Sequence, residues 1–292
     1  MPLTNLFIVG APKCGTTTLH DLLNSQENIE MSIVKEPHFF CEDLTRKIPS
    51  SQKRKKRVKY KNGEIQKRHF SYIESIEIYR SLWLKPDQTF YGEGSTSYLY
   101  SKKAPEEIFK YNPESKIIIV LRDPYDRCLS HIKADKLRGR FKIEELLIDI
   151  QNLENDLIWG KDPGYIRLSL YSKNIERFAR VFPTENLLIL PFKLLNNSEK
   201  LQDVLTKFLA HPVTIDDIIH SNKSDKRLIT YKKYIREFRR FLKINWINPS
   251  AIKTRNSMLE KNLKLILNDE INSLLDIEVN LIRDLEKKYE QL

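Results

Sequence analysis

Five consecutive apolar residues, Ile117-Ile118-Ile119-Val120-Leu121, run without a polar break and end on Arg122-Asp123-Pro124. A strand of that kind offers no face to water, so it belongs in a parallel sheet covered on both sides. A second run, Leu6 to Val9, stops at Gly10 and leads through a loop into a helical pattern from Thr16 to about Leu23. Strand, loop, helix is how an α/β fold opens. Ile29 to Val34, Phe90 to Glu93 and Asn186 to Pro191 read as further strands. Ala104 to Tyr111 is expected to be a helix with Pro105 in its first turn, where a missing N–H does no harm. Asp123-Pro124 opens a helix expected to reach Leu137, and Tyr165 to Phe182 reads as helical. Tyr72, Ile76, Tyr79 and Trp83 also sit at helical spacings. The alternation predicts an α/β protein with a P-loop-like three-layer fold, a mostly parallel central sheet carrying helices on both faces.

Composition narrows the class. Apolar residues make up 40% of the 292, enough for a sizeable core. The formal charge is +11, yet Arg46 to Arg68 alone holds eleven Lys/Arg against one Glu. The protein is therefore near neutral with one strongly basic segment, expected to be an exposed loop inserted at 46–69. Three cysteines (Cys14, Cys41, Cys128) form no framework and no metal-ligand spacing, which suits a reduced compartment. The first ten residues lack a basic stretch and a long apolar one, and no later segment is apolar for the 18 or so residues a span needs. A cytoplasmic protein is expected, as one domain over 1–292 with a helical C-terminal part at 228–292.

Two segments carry candidate chemistry. The first loop is Gly10-Ala11-Pro12-Lys13-Cys14-Gly15-Thr16-Thr17-Thr18. Between strand and helix, such a loop offers backbone N–H groups and a helix dipole to an anion. Gly10, Gly15 and Thr17 match the spacing of the nucleotide P-loop, G-x-x-x-x-G-K-[ST]. The lysine does not: Thr16 stands in its place, and Lys13 lies inside the loop. That shift suits a group shorter than a triphosphate. The second segment follows the best strand, with Arg122 at its end and Ser130 eight residues on, about two turns into a helix. Ligands of open α/β sheets bind at such strand ends.

These residues resemble those of sulfotransferases that use 3′-phosphoadenosine 5′-phosphosulfate (PAPS). Pro12, Lys13, Gly15, Thr16 and Thr17 fit the family's P-K-x-G-T-T loop, with Cys14 where serine is frequent. Arg122, Pro124, Arg127 and Ser130 fit its R-x-P-x-x-R-x-x-S pattern. The resemblance implies that Pro12 to Thr18 bind the 5′-phosphosulfate, that Arg122 and Ser130 hold the 3′-phosphate, and that no metal is needed. Lys35-Glu36-Pro37-His38-Phe39-Phe40 resembles the E-x-H/Q-F-F segment of the heparan-type carbohydrate branch and its bacterial relatives. There the glutamate takes the acceptor's proton, which gives Glu36 that role and Lys13 the departing phosphate. His38 is the rival base, since cytosolic members acting on small phenols and alcohols use histidine. Gly92, Glu93, Ser95, Tyr98 and Leu99 fit a G-E-x-S-P-x-Y-L pattern, with Thr96 in place of the proline. Lys35, Glu93 and Ser95 are accordingly expected near the acceptor.

A carbohydrate or glycolipid acceptor follows from the resemblance, with small alcohols open. The basic segment would suit an anionic acceptor or a membrane surface, and Leu228 to Lys243 reads as a basic amphipathic helix that could assist. Two other functions share some of these features. A P-loop kinase or NTPase has the same fold, but here the lysine after Gly15 is missing and an arginine ends the strand where a metal-binding acid belongs. Lys53-Arg54-Lys55-Lys56-Arg57 could serve a nucleic-acid-binding protein, but only Tyr60 interleaves with it, and no specific nucleic-acid partner is expected.

Overall fold

The computed structural model describes residues 3–153 and 155–215, together with Asn280, Arg283, Asp284 and Lys287. In chain order the elements are β1 (Leu6–Gly10), α1 (Thr16–Asn24), β2 (Ile29–Met31), β3 (Val34–Glu36), α2 (Glu42–Thr45), α3 (Ser50–Lys55), β4 (Tyr60–Lys61), β5 (Glu64–Ile65) and β6 (Arg68–Phe70). They continue with α4 (Ile76–Arg80), β7 (Phe90–Glu93), α5 (Ala104–Tyr111), β8 (Lys116–Leu121), α6 (Pro124–Leu137), α7 (Ile143–Gln151), α8 (Ser172–Ala179), β9 (Leu187–Pro191) and α9 (Ser198–Leu209).

The apolar runs assemble into one five-stranded sheet, β2-β7-β1-β8-β9, with every neighbouring pair parallel. The two runs without polar breaks, β1 and β8, lie at its centre, and Leu6 to Val9 and Ile117 to Leu121 are completely buried. Burial of each such side chain contributes about 1.5–3 kcal/mol, which fixes these strands inside. Because the pairs are parallel, each return crosses a face of the sheet, and helices α1, α5, α6 and α8 lie in those crossovers. A second, smaller apolar cluster (Cys128, Ile132, Leu146, Tyr165, Ile166) packs α6 and α7 against the segment that follows them.

Four expectations change in the structure. Ile29 to Val34 is two strands: β2 joins the central sheet, the chain turns where Ser32 Oγ donates to the Val34 carbonyl at 2.7 Å, and β3 leaves to pair with β6. Tyr165 to Phe182 is not one helix. A short 3-10 turn at Arg167–Ser169 precedes an extended Leu170, and α8 starts only at Ser172. The break is held by side chains: Arg167 Nε donates to Asp149 at 2.6 Å, and Ser169 Oγ donates to the Pro124 carbonyl at 2.9 Å.

The basic segment is the third. Instead of a loop, Arg46 to Arg68 carries α3, a hairpin of β4 and β5, and the first residue of β6. The hairpin turns at Asn62-Gly63, with φ of 52° and 82°, the positive pair that a two-residue turn of matching twist requires. Most of its cations are exposed. Its end is anchored, since β6 lies parallel to β3 with Arg68 opposite Val34 and Phe70 opposite Glu36. Lys56 sits over the Phe70 ring at 4.6 Å. Of the helical spacing from Tyr72 to Trp83, only Ile76 to Arg80 is helix. The amphipathic helix expected at Leu228 to Lys243 lies outside the described residues, as does most of the part from 228 to 292. No helix among the described residues is long and apolar enough to cross a membrane.

Candidate active site

The loop after β1 rises beside the end of β8, because the Ala11 N–H donates to the Val120 carbonyl at 2.7 Å. Lys13 and Gly15 both take positive φ, 71° and 83°. Gly15 caps α1, and a Cβ there would lie 2.4 Å from Leu195 Cδ1 and 3.1 Å from the Phe192 ring. Only glycine fits that corner. No side chain caps α1, so the first-turn N–H groups of Thr16, Thr17 and Thr18 have no intrahelical acceptor. With the partial positive charge of the helix end they form an anion cradle. Cys14 points inward, and burial pushes its thiol up to about 11, so it brings no negative charge to the cradle.

Arg122 leaves the end of β8 with its guanidinium 4.8 Å from the Phe192 ring centre. Its Nε is buried and has no hydrogen-bond partner among the described residues. Its outer nitrogen is 3.7 Å from Asp126. Ser130 lies half-buried on α6. Arg127, fully buried on the same helix, donates through Nε to Ser169 Oγ at 2.6 Å and through Nη2 to the Tyr165 carbonyl, while its Nη1 finds no partner among the described residues. His131 Nδ1 is orphaned in the same way, and burial, with Arg127 and Lys13 nearby, pushes that imidazole well below its usual range. Asp123 is occupied as the cap of α6, accepting from the Asp126 N–H at 3.0 Å. One phenol joins the loop to the end of β8: Tyr171 Oη donates to the Arg122 carbonyl at 3.0 Å and lies 3.9 Å from Cys14 Sγ.

Glu36, the last residue of β3, is ringed by polar side chains. Its Oε1 lies 3.1 Å from Lys35 Nζ and 3.5 Å from His69 Nε2. Its Oε2 accepts from Thr96 Oγ1 at 3.0 Å and lies 3.8 Å from His38 Nε2. Burial pushes this carboxyl upward, but Lys35, His38 and His69 together outweigh it and hold Glu36 at about 2. His38 is buried, with Nδ1 2.7 Å from Ser97 Oγ, and burial drives it down to about 4 despite the adjacent Glu36. His69 differs in that 62% of its side chain is exposed.

Lys35, Glu93 and Ser95, expected beside an acceptor, all have buried surroundings. Lys35 Nζ donates to Glu36 and to the Gly94 carbonyl. Glu93 has no exposed surface and accepts from Ser95 Oγ at 2.6 Å, Tyr98 Oη at 2.6 Å and Tyr79 Oη at 3.1 Å. Ser95 Oγ in turn accepts the His38 N–H at 3.1 Å, and Tyr98 Oη accepts the Phe39 N–H at 3.0 Å. Glu93 and Ser95 thus hold the Glu36–His38 segment in place from behind. Burial pushes Glu93 up to about 7 against its three hydroxyl donors.

Sequence reasoning missed His69, Thr96 and Tyr171. Thr96 showed itself only as a departure from the G-E-x-S-P-x-Y-L pattern, and the hydroxyl gained there bonds Glu36. His69 lay inside the basic segment. A groove of about 840 Å³ lined by Phe39, Phe40, Ile73, Tyr111, Lys53 and Lys110, among others, starts just after His38 and includes neither Glu36 nor any residue of the Pro12–Thr18 loop.

A parallel α/β sheet with a helix N-terminus after its first strand and an arginine ending the next is a P-loop-like fold. Residues 5–157 match the model of the sulfotransferase family, and the chain belongs to that family. It is similar to heparan sulfate glucosamine 3-O-sulfotransferase 5 of Mus musculus, 28% identical over 189 residues that cover 63% of this chain and 46% of that protein. It is also similar to the bifunctional heparan sulfate N-deacetylase/N-sulfotransferase 1 of Mus musculus, 27% identical over 227 residues, 72% of this chain and 22% of that one. The chain therefore spans half or less of these relatives' length. Among solved structures, a sulfotransferase from Alicyclobacillus acidocaldarius superposes with a TM-score of 0.60 at 22% identity, covering 84% of this chain and 98% of that one.

Proposed function

We propose that this protein transfers a sulfuryl group from PAPS to a hydroxyl or amine of an acceptor, a carbohydrate or glycolipid. The observation that carries the proposal is the set of buried nitrogens without partners among the described residues, the donors Arg122 Nε and Arg127 Nη1 and the imidazole Nδ1 of His131, together with the uncapped first turn of α1. They fit a ligand with phosphates at two ends. In this reading Pro12 to Thr18 take the 5′-phosphosulfate end, and Arg122 with Ser130 takes the 3′-phosphate. A guanidinium near a phosphate contributes about 4 kcal/mol at 4 Å and an effective dielectric of 20, before desolvation. That charge would select PAPS over a nucleotide lacking the 3′-phosphate. The relatives' names, which specify heparan sulfate and its glucosamine, support a sugar acceptor.

PAPS supplies an activated sulfuryl group, and this chain's residues do the rest. Sulfuryl transfer, like phosphoryl transfer, relies on positioning and electrostatics. Lys13 balances charge on the departing phosphate, and Glu36 removes the acceptor's proton. Held at about 2, Glu36 is ionised at every physiological pH. Its burial works in the opposite direction, so an acceptor hydroxyl that displaces a donor from Oε1 strengthens it as a base.

The test is calorimetry with 3′,5′-diphosphoadenosine and with ATP–Mg, followed by transfer of label from PAPS to a pool of polysaccharides, glycolipids and small alcohols. Glu36→Gln should bind nucleotide normally and lose about 10²–10⁴ in rate. Tighter binding of ATP–Mg, or an active Glu36→Gln beside a dead His38→Ala, would contradict the reading.

A further inference from the structure

A carboxylate has about four lone-pair positions; around Glu36, Lys35 donates to Oε1 and Thr96 to Oε2, and the imidazoles of His69 and His38 stand before the remaining positions at 3.5 and 3.8 Å. An acceptor hydroxyl can reach an oxygen only by displacing one of them. Lys35 and His38 are buried, and Thr96 is 5% exposed with its hydroxyl bonded to Oε2 at 3.0 Å. His69 alone of the four is exposed, and its 3.5 Å approach to Oε1 forms no hydrogen bond. It is therefore the cheapest to move.

The same proton must then leave. Glu36 has only 11% of its side chain exposed, and a proton on a carboxyl whose resting value is about 2 passes downhill to either imidazole. His38 is a dead end, buried with Nδ1 against Ser97 Oγ at 2.7 Å. His69 has one nitrogen toward Glu36 and most of its ring in water.

We infer that His69 is the exit for the acceptor's proton, giving way at Oε1 when the acceptor hydroxyl enters and then taking the proton from Glu36 to solvent. The inference rests on Glu36 being the base. The acceptor O–H bond breaks as its oxygen bonds to sulfur and the sulfur–phosphate oxygen bond cleaves. The proton goes to Glu36, then forms an N–H bond at His69 Nε2, and the ring releases its Nδ1 proton to water. No oxidant or further reactant is needed.

His69 must be neutral to accept, so activity falls as pH drops through its titration. The groups facing it are Glu36 and Lys35 on β3, His38 just beyond, Asp21 on α1 and Arg138 after α6. Burial comes first among the causes that hold it below the usual imidazole value, with Lys35 and Arg138 adding and Glu36 opposing. The acid limb of kcat is therefore expected below pH about 6.5.

The experiment measures labelled transfer to the same acceptor pool across pH 5 to 8.5 for wild type, His69→Ala and His69→Gln. Both variants should bind 3′,5′-diphosphoadenosine unchanged and lose about tenfold or more in kcat. His69→Ala should also lose the acid limb and recover on adding imidazole. His69→Gln keeps a donor for Glu36 but cannot carry a proton, so it should stay slow. A fast His69→Gln, or a slow His69→Ala that keeps the acid limb and ignores imidazole, would refute the exit. An inactive wild type or an active Glu36→Gln would instead overturn the function beneath it.

Discussion

Glu93 should make this protein less stable as pH rises toward neutrality. Its carboxyl has no exposed surface, and burial carries it from 4.5 to about 7 despite hydroxyl donors from Ser95, Tyr98 and Tyr79. Between those values the folded protein keeps a proton that the unfolded chain has released. Stability then falls with rising pH, by up to 1.36 kcal/mol per unit. Over about 2.5 units the loss comes to about 3 kcal/mol, a large share of the 5–15 kcal/mol typical of a folded domain. Glu93→Gln removes the titration while keeping the shape. Urea unfolding of wild type and variant at half-unit steps from pH 4.5 to 8 measures it. The wild-type free energy should fall relative to the variant across the window and level off above pH 7. The opposite shift at Glu36, depressed to about 2, acts only below pH 4.5, and the depressed histidines His38 and His131, which raise stability with pH in this window, are shared by both proteins and cancel in the comparison. Parallel curves for the two proteins between pH 4.5 and 7 would refute the reasoning.

Arg122→Ala should weaken binding of 3′,5′-diphosphoadenosine by about 10²-fold or more while affecting adenosine 5′-phosphosulfate far less, because the lost charge serves the 3′-phosphate; calorimetry with both ligands checks this. Gly15→Ala should cost more than about 1 kcal/mol in unfolding free energy and abolish nucleotide binding, since φ is 83° and Leu195 lies 2.4 Å from the new Cβ; a variant of normal stability and affinity would contradict that account. Acid unfolding should show the Glu36 component, about 3 kcal/mol lost as pH falls from 4.5 to 2, and it should be missing in Glu36→Gln.

What was legible in the sequence depended on whether a residue's role is local. β8 was plain because five apolar residues in a row leave one solution, and α6 because Asp123-Pro124 is both cap and first turn. The Pro12–Thr18 loop and Arg122 stood out because their spacing is set by neighbouring backbone. The basic segment was misjudged for the converse reason. β4 and β5 are two residues each, too short to show a period, although Asn62-Gly63 was an available hairpin signal. β6 exists by pairing with β3, more than thirty residues earlier, and charge alone says nothing of such a partner. His69 was lost with it. Glu93 and Ser95 carried a pattern that marked them as important without saying which way they face.

The pairing of β3 with β6 has an evolutionary consequence. Both ends of the stretch from Pro37 to Lys67 are clamped beside Glu36, and the central sheet uses neither β3 nor β6. His38, Phe40, Cys41 and Leu44 belong to the buried core, but the largely exposed part that follows, α3 and the β4–β5 hairpin, behaves as an exchangeable cassette. Lengthening it costs little, about 0.6 kcal/mol per doubling of a flexible loop, and leaves the Pro12–Thr18 loop and Arg122 where they are. Descendants of this scaffold could therefore trade one clientele of acceptors for another by rewriting fewer than about twenty residues, Ser50 to Ile65, while the donor side of the reaction is inherited untouched.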